Sequence, residues 1–178
     1  MIFKRLSYRS LLTTVALLSC SFGFLPIVTY AQSNSGLTIF SGVERENILD
    51  YHLDFGGNAG SFDRYRLRVP GKKLMQGVSK FFISYPDYYK GKFDTDKIEV
   101  RVKGKSLPIR EVIWDKESYL IEIDLEQPLK ESNKVEIVFS NVKNPRFGGT
   151  FYFQCQILPA ADLPIRQHLG TWILSINP

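Results

Sequence analysis

Beyond the first 31 residues, the side chains with metal-ligating or nucleophilic chemistry are few: His52, Met75, Cys155 and His168. They are far apart and show no paired spacing such as Cys-x-x-Cys or His-x-x-x-His, so no metal site is expected. Asp94-Thr95-Asp96 places two carboxylates close together but lacks the ligand run of a calcium loop, and reads as a turn. A serine or cysteine nucleophile needs a positioned base, and no Gly-x-Ser-x-Gly elbow occurs. Glu122, Asp124 and Glu126 alternate along one solvated strand face rather than converging as a glycosidase pair. No Gly-rich loop leads into a helix, so phosphate cradling is not expected either. The residues therefore predict neither an enzyme nor a cofactor.

Tyr85-Pro86-Asp87-Tyr88-Tyr89 is the most site-like run, because it follows a strand and gathers three tyrosines in one loop. Tyr85, Tyr88 and Tyr89 would form a flat platform for a sugar ring or a partner protein, each offering contact area with a polar tip. The alternative is that one ring packs beneath the loop and the others are incidental surface.

The N-terminus places this chemistry outside the cytoplasm. Lys4, Arg5 and Arg9 precede an apolar stretch from Leu11 to Val28, and Thr29-Tyr30-Ala31 supplies small residues at a cleavage site before Gln32. This predicts an export signal over 1–31. Leu17-Leu18-Ser19-Cys20 also resembles a lipobox, but Leu18 is bulky and the residues after Cys20 stay apolar where a lipoprotein tether is polar. An uncleaved segment would act as a membrane anchor. The chain carries a formal charge of +5, with three of its 23 basic residues and none of its 18 acidic ones in the signal. The remaining 20 basic and 18 acidic residues are interspersed, which argues against a nucleic-acid-binding face. With Cys20 removed or acylated, Cys155 stands alone and no internal disulfide is available.

The elements that must position these residues read as β-strands. After a polar leader over 32–36, period-two alternation recurs. Tyr65, Leu67 and Val69 alternate with Arg64, Arg66 and Arg68; Ile98, Val100 and Val102 alternate with charged residues; Phe81, Ile83 and Tyr85 share a face. Val112 and Trp114 lie in another strand, ended by the polar run Asp115–Ser118. Tyr119, Ile121 and Ile123 follow, then Val135, Ile137 and Phe139, then Phe151, Phe153, Cys155 and Ile157, and last Trp172, Leu174 and Ile176. Leu37–Ser41 and Ile48–Phe55 are two further candidates. Gly104-Lys105 marks a turn, Gly56–Ser61 reads as a flexible loop, and single helical turns are expected near Lys72–Met75 and Leu163–His168. The fold class predicted is all-β: one antiparallel, immunoglobulin-like β-sandwich of about seven to ten strands over 37–178, preceded by an N-terminal signal helix.

Asn144-Pro145-Arg146-Phe147-Gly148-Gly149-Thr150-Phe151-Tyr152-Phe153 resembles the signature of a cyanobacterial secreted family, domain-of-unknown-function family 2808. Tyr65–Val69 with Pro70-Gly71 and Leu74, Phe93-Asp94, Ile98-Glu99-Val100, and Pro164 with Leu169-Gly170-Thr171-Trp172 fit as well. The similarity runs from about Phe62 to Ile176. It implies an exported protein of the periplasm or cell envelope and assigns no catalytic residue. Physically, Pro145 presets a turn, Gly148 and Gly149 admit positive φ before a strand, and Phe147, Phe151 and Phe153 can enter the core. Arg146 either anchors the turn, stacked on a ring or paired to a carboxylate, or offers its guanidinium to a partner; the first is favoured.

The function predicted is a non-enzymatic protein-interaction module, with a carbohydrate-binding module as the alternative. Tyr85, Tyr88, Tyr89 and Arg146 are the candidate binding residues. The partner is an envelope protein or polysaccharide, with no nucleic acid. Membrane contact is expected only through the signal segment, if it is uncleaved or lipidated at Cys20. N-terminal sequencing of the exported protein should find Gln32 first; a start at an acylated Cys20 would establish the lipobox instead.

Overall fold

The computed structural model describes residues 42–130, 133–161 and 165–178. The signal, the leader, the strand expected at Leu37–Ser41 and Pro164 lie outside them. Eleven strands are described: β1 (Ile48–Leu49), β2 (Tyr51–Leu53), β3 (Phe62–Val69), β4 (Val78–Ser84), β5 (Ile98–Val102), β6 (Lys105–Leu107), β7 (Ile109–Asp115), β8 (Leu120–Leu129), β9 (Val135–Lys143), β10 (Gly149–Leu158) and β11 (Gln167–Ile176). They form two sheets, ordered β1-β11-β10-β4-β8-β7 and β2-β3-β9-β5-β6. Among the described strand pairings only β1–β11 is parallel, and the isolated Asn58–Asn177 bridge is parallel as well. The architecture is an immunoglobulin-like β-sandwich.

The alternation in the sequence builds the interior. Tyr65, Leu67 and Val69 of β3 and Val135, Ile137 and Phe139 of β9 face Phe81, Ile83, Ile121, Ile123, Phe153 and Leu174 of the other sheet, all fully buried. Each such side chain contributes roughly 1.5–3 kcal/mol by leaving water. Trp172 is fully buried as well, and its Nε1–H donates to the carbonyl of Arg68 at 3.1 Å, tying β11 to β3 across the core.

Among the described residues, four strand pairs carry register shifts, and two of these reset which residues face inward. Between β3 and β9 the register slips by one residue near Ser140 and Asn141, with Asn141 at φ 57°, which returns Val142 to the interior. Between β10 and β11, Cys155 faces Gly170 while Gln156 faces His168. The extra residue, Leu169, is buried and His168 is left in water.

Several sequence expectations need correction. The segment 48–55 is not one strand: β1 joins one sheet and β2 the other, with the chain crossing at Asp50. Its carbonyl accepts from the Arg68 N–H at 2.9 Å and its carboxylate from Arg68 Nη1 at 2.9 Å. The edge strand β6 carries no hydrophobic alternation and was not expected; the turn before it is centred on Lys103-Gly104, at φ 51° and 78°. The helical turn expected over 163–168 fails at its C-terminal end, because Gln167 and His168 belong to β11. The turn expected at Lys72–Met75 is a 3₁₀ turn at Gly71–Lys73, and two more lie at Arg45–Asn47 and Thr95–Lys97. Phe82, on the outward face of β4, is also buried, because the Arg166 guanidinium lies 3.7 Å from its ring centre.

The outer face of the β3 sheet is a lattice of opposite charges. Arg66 donates to both oxygens of Asp54, at 2.7 and 2.9 Å, and reaches Glu136 at 3.3 Å; Arg68 reaches the same Glu136 at 3.2 Å. The Arg66 hydrogen bond holds the Asp54 carboxyl below its ordinary range.

The antiparallel course sends the loops 54–61, 85–97, 116–119 and 144–148 and the C-terminal residues to one end of the sandwich. The loop 70–77, the Lys103-Gly104 turn and the loop after β10 lie at the opposite end.

Cys155 is buried, as its alternation requires, and burial pushes its thiol far above the usual range. A thiol reagent should leave native protein unlabelled and modify it fully in denaturant. Cys155→Ala should cost about 1 kcal/mol in urea unfolding. Rapid native labelling would mean that the β10 register is reversed.

Candidate functional site

The motif-bearing end of the sandwich is organised around one side chain. Asn144 directly follows β9 and is only 3% exposed. Its Nδ2–H donates to the Asn58 carbonyl at 2.8 Å, its backbone N–H donates to the Ser61 carbonyl at 2.9 Å, and its Oδ1 accepts from the Tyr65 hydroxyl. With its own proton committed to Asn144, the Tyr65 oxygen accepts from the Tyr89 hydroxyl at 3.1 Å. The result is a buried chain from Tyr89 through Tyr65 and Asn144 to the loop backbone, each member polarising the next. Burial pushes both phenols above their ordinary pKa.

Asp63 completes the frame. It sits on the inward side of β3, in step with Tyr65 and Leu67, and is 1% exposed. Its carboxylate accepts the backbone N–H of Phe55 at 2.9 Å and of Gly57 at 2.7 Å. Asn177 donates its N–H to the Gly57 carbonyl at 2.7 Å and its Nδ2–H to the Gly56 carbonyl at 2.8 Å. Gly60 N–H donates to the Pro145 carbonyl at 2.7 Å. The segment Gly56–Ser61 is therefore pinned on all sides, and the flexible reading of it is wrong. Neither Asn144 nor Asp63 stood out as a site residue in its own right. An acidic residue at an inward position of an alternating strand was the available signal for Asp63.

The structure separates the three candidate tyrosines. Tyr85 and Tyr89 are buried and only Tyr88, at 53% exposure, faces water, so the flat platform does not exist. Tyr89 stacks on Phe93 with ring centres 5.5 Å apart and meets Phe151 and Phe153 edge-on at 5.1 and 5.0 Å. Tyr85 accepts a hydrogen bond from Trp114 Nε1 at 2.7 Å. The loop instead supplies an aromatic plug to this end of the core.

The signature turn divides by role. Asn144 and Pro145 are buried; Arg146 and Phe147 are exposed, Phe147 to 76%. Phe147 therefore does not enter the core. Arg146 is exposed, its guanidinium lies 5.8 Å from the ring centre of the equally exposed Phe147, and among the described residues no carboxylate ties it to the domain. Asn144 performs the anchoring instead. Gly148 is needed for space rather than for positive φ, since a Cβ there would come within 2.8 Å of the Ile176 carbonyl and of Pro178 N. Gly170 faces Cys155 at the bulge, and Trp172 forms the cross-core bond described above.

Two hollows flank Lys90 at this end. One, of about 340 Å³, lies between Tyr88, Lys90 and the turn 145–151. The other, of about 490 Å³, has Tyr85, Phe93, Trp114 and Tyr119 as its aromatic wall and Lys90, Lys92 and Lys116 as its cations. The residues considered for a metal are not brought together: His52 lies in β2, His168 in β11, Met75 in the opposite loop and Cys155 inside the core.

The class is defined by this fold and turn, an immunoglobulin-like sandwich closed by an Asn-Pro-Arg-Phe-Gly-Gly corner. The chain belongs to the family described as "Protein of unknown function (DUF2808)", whose model matches residues 37–176. A comparison with curated proteins finds no match. Among solved structures, the chain is similar to the bacterial hydrophobin BslA, with 12% identity, a TM-score of 0.50 and coverage of 72% of this chain and 92% of that one. The major pilin subunit BcpA of Bacillus cereus matches with 8% identity and a TM-score of 0.43, covering 72% of this chain and 39% of the pilin. A collagen-binding domain from a Staphylococcus aureus adhesin matches with 10% identity and a TM-score of 0.44, over 73% and 97%. At such identities the likeness concerns the fold alone.

Removing the Asn144 side chain should take away the acceptor of the buried Tyr65 O–H and one of the two donors to the Asn58 carbonyl, and so loosen the 54–61 loop. Asn144→Ala should therefore lower stability by about 2–3 kcal/mol in urea unfolding. Asn144→Asp should not rescue it, because a carboxylate cannot donate to Asn58. An unchanged midpoint in both variants would remove Asn144 from its central place.

Proposed function

We propose that this protein is a non-enzymatic binding module of an exported cell-envelope protein, and that it holds another envelope component at its motif-bearing end. The observation that carries this reading is the division of labour within the turn. Asn144, Pro145 and Gly148 build a rigid corner, while Arg146 and Phe147 are presented on it to water. A phenylalanine 76% exposed contributes little to folding, and it stands on a backbone fixed by buried hydrogen bonds. An exposed aromatic and an adjacent guanidinium on a rigid support are the usual anchors of a binding surface. The buried polar groups beneath it, Asp63, Asn144, Tyr65 and Tyr89, spend their hydrogen bonds on one another and on loop backbone, which supports a scaffold role rather than a catalytic one.

The partner is an envelope protein or a polysaccharide. The lysines set beside aromatic rings in the larger hollow favour a polysaccharide over the protein partner expected from the sequence, because lysine is depleted from protein–protein interfaces.

Sedimentation of the purified protein with isolated cell envelopes tests the reading. The double variant Arg146→Ala/Phe147→Ala should keep its melting temperature within about 2 °C and lose most envelope binding. Full binding by the folded double variant would remove this end as the site.

A further inference from the structure

We propose that the binding end takes an acidic polysaccharide, with sugar-ring faces laid against Trp114 and Tyr119 and carboxylates received by Lys90, Lys92 and Lys116. The proposal rests on the reading of the protein as an envelope-binding module and names its ligand class.

Charge carries the argument. On the outer face of the β3 sheet, Arg66 and Arg68 are neutralised by Asp50, Asp54 and Glu136. Lys80, on the other sheet, lies within 3.3 Å of Glu122. Lys90, Lys92 and Lys116 form no ion pair among the described residues. The neighbouring carboxylate of Asp115 is turned into its own hairpin, where it accepts the N–H of Glu117 at 3.0 Å and of Ser118 at 3.1 Å. The hollow itself is therefore lined by three lysines and no carboxylate, while Asp87, Asp94, Asp96 and Glu117 of the same loops lie outside its lining.

The cations are coupled to rings. Lys116 Nζ lies 4.5 Å from the Trp114 ring centre and Lys90 Nζ lies 5.8 Å from that of Tyr119. The pattern continues beyond the hollow, with Lys143 Nζ 4.6 Å from Phe62 and Arg146 5.8 Å from Phe147. A ligand that matches this repeat offers an apolar ring face and a negative charge in each unit. A polymer of uronic-acid residues has that chemistry: the C–H face of each sugar packs on an aromatic ring, and its carboxylate meets an ammonium. The two hollows share Lys90, so an extended chain can run from one to the other.

The platform is held before any ligand arrives. A Cβ on Gly91 would come within 2.4 Å of the Tyr89 ring, so the backbone between Lys90 and Lys92 lies directly on that buried side chain. Tyr89 in turn is held through Tyr65 by Asn144. The lysines thus project from fixed backbone, which lowers the ordering cost of binding.

Calorimetric titration of the purified protein with polygalacturonate tests the proposal, with neutral dextran, poly-glutamate and a single-stranded DNA oligonucleotide as comparisons. Polygalacturonate should bind, with an affinity that falls as salt rises, and dextran should not. Lys90→Gln/Lys116→Gln should bind about tenfold more weakly with an unchanged near-ultraviolet dichroism spectrum. Lys103→Gln/Lys105→Gln, at the opposite end, should bind like the parent. Full affinity in the folded Lys90→Gln/Lys116→Gln variant would overturn the proposal. So would equal affinity for poly-glutamate or dextran, or tighter binding of the oligonucleotide. If polygalacturonate fails to bind while envelope sedimentation still depends on Arg146 and Phe147, the ligand class falls and the binding module stands. If both fail, the module reading falls with it.

Discussion

The side-chain amide of Asn144 is the constraint on which the rest of this end depends. A buried amide must place both its oxygen and its nitrogen in hydrogen bonds, and few positions let it do so. Here the oxygen takes the Tyr65 hydroxyl and the nitrogen takes the Asn58 carbonyl. One side chain thereby fixes the height of the 54–61 loop, the orientation of a core tyrosine and, through Tyr89, the path of the 85–97 loop. The turn that follows inherits this rigidity, so Arg146 and Phe147 stand on a support that they do not themselves stabilise. Stability and presentation are divided between adjacent residues.

The same economy appears in the sandwich body. An ideal strand alternates strictly, and a bulge resets which of its residues face inward. At Asn141 the reset brings Val142 inward before the chain reaches Asn144; at Leu169 it leaves His168 in water and aligns Gly170 and Trp172 with the core. Trp172 then closes the gap between sheets with a hydrogen bond as well as with its area. The crossing at Asp50 serves a similar purpose, since β1 and β2 let one short segment pair with an edge of each sheet.

Electrostatics separates the two kinds of surface. Sheet arginines lie among carboxylates at 2.7–3.3 Å, so that face is close to neutral and attracts little at range. At the loop end Lys90, Lys116, Lys143 and Arg146 lie near rings instead. A cation over a ring keeps most of its charge available to solvent and to ligands, because the ring supplies only a quadrupole. Nearly balanced charge over residues 32–178 thus coexists with a hollow whose charged lining is all lysine, and composition alone does not show it.

Alternation by itself determined much of this protein. Tyr65-Leu67-Val69, Ile98-Val100, Phe151-Phe153-Cys155-Ile157 and Trp172-Leu174-Ile176 face inward as their spacing requires, because a strand exposes successive side chains to opposite faces whatever it packs against. The signature Asn-Pro-Arg-Phe-Gly-Gly was legible as a turn for the same local reason. What spacing could not decide was which residues of loop and turn go inside. Tyr85, Tyr88 and Tyr89 look equivalent in a chain, and Arg146 looks as able to anchor as Asn144. Their fates depend on the shape of the cavity that two sheets leave at their open end. Only the tertiary structure supplied the buried acceptor and donor that claim Asn144, the ring cluster that swallows Tyr89, and the convergence of Lys90 with Lys116 from loops 26 residues apart. Those are long-range contacts, set by how the sheets stack, and no local periodicity encodes them.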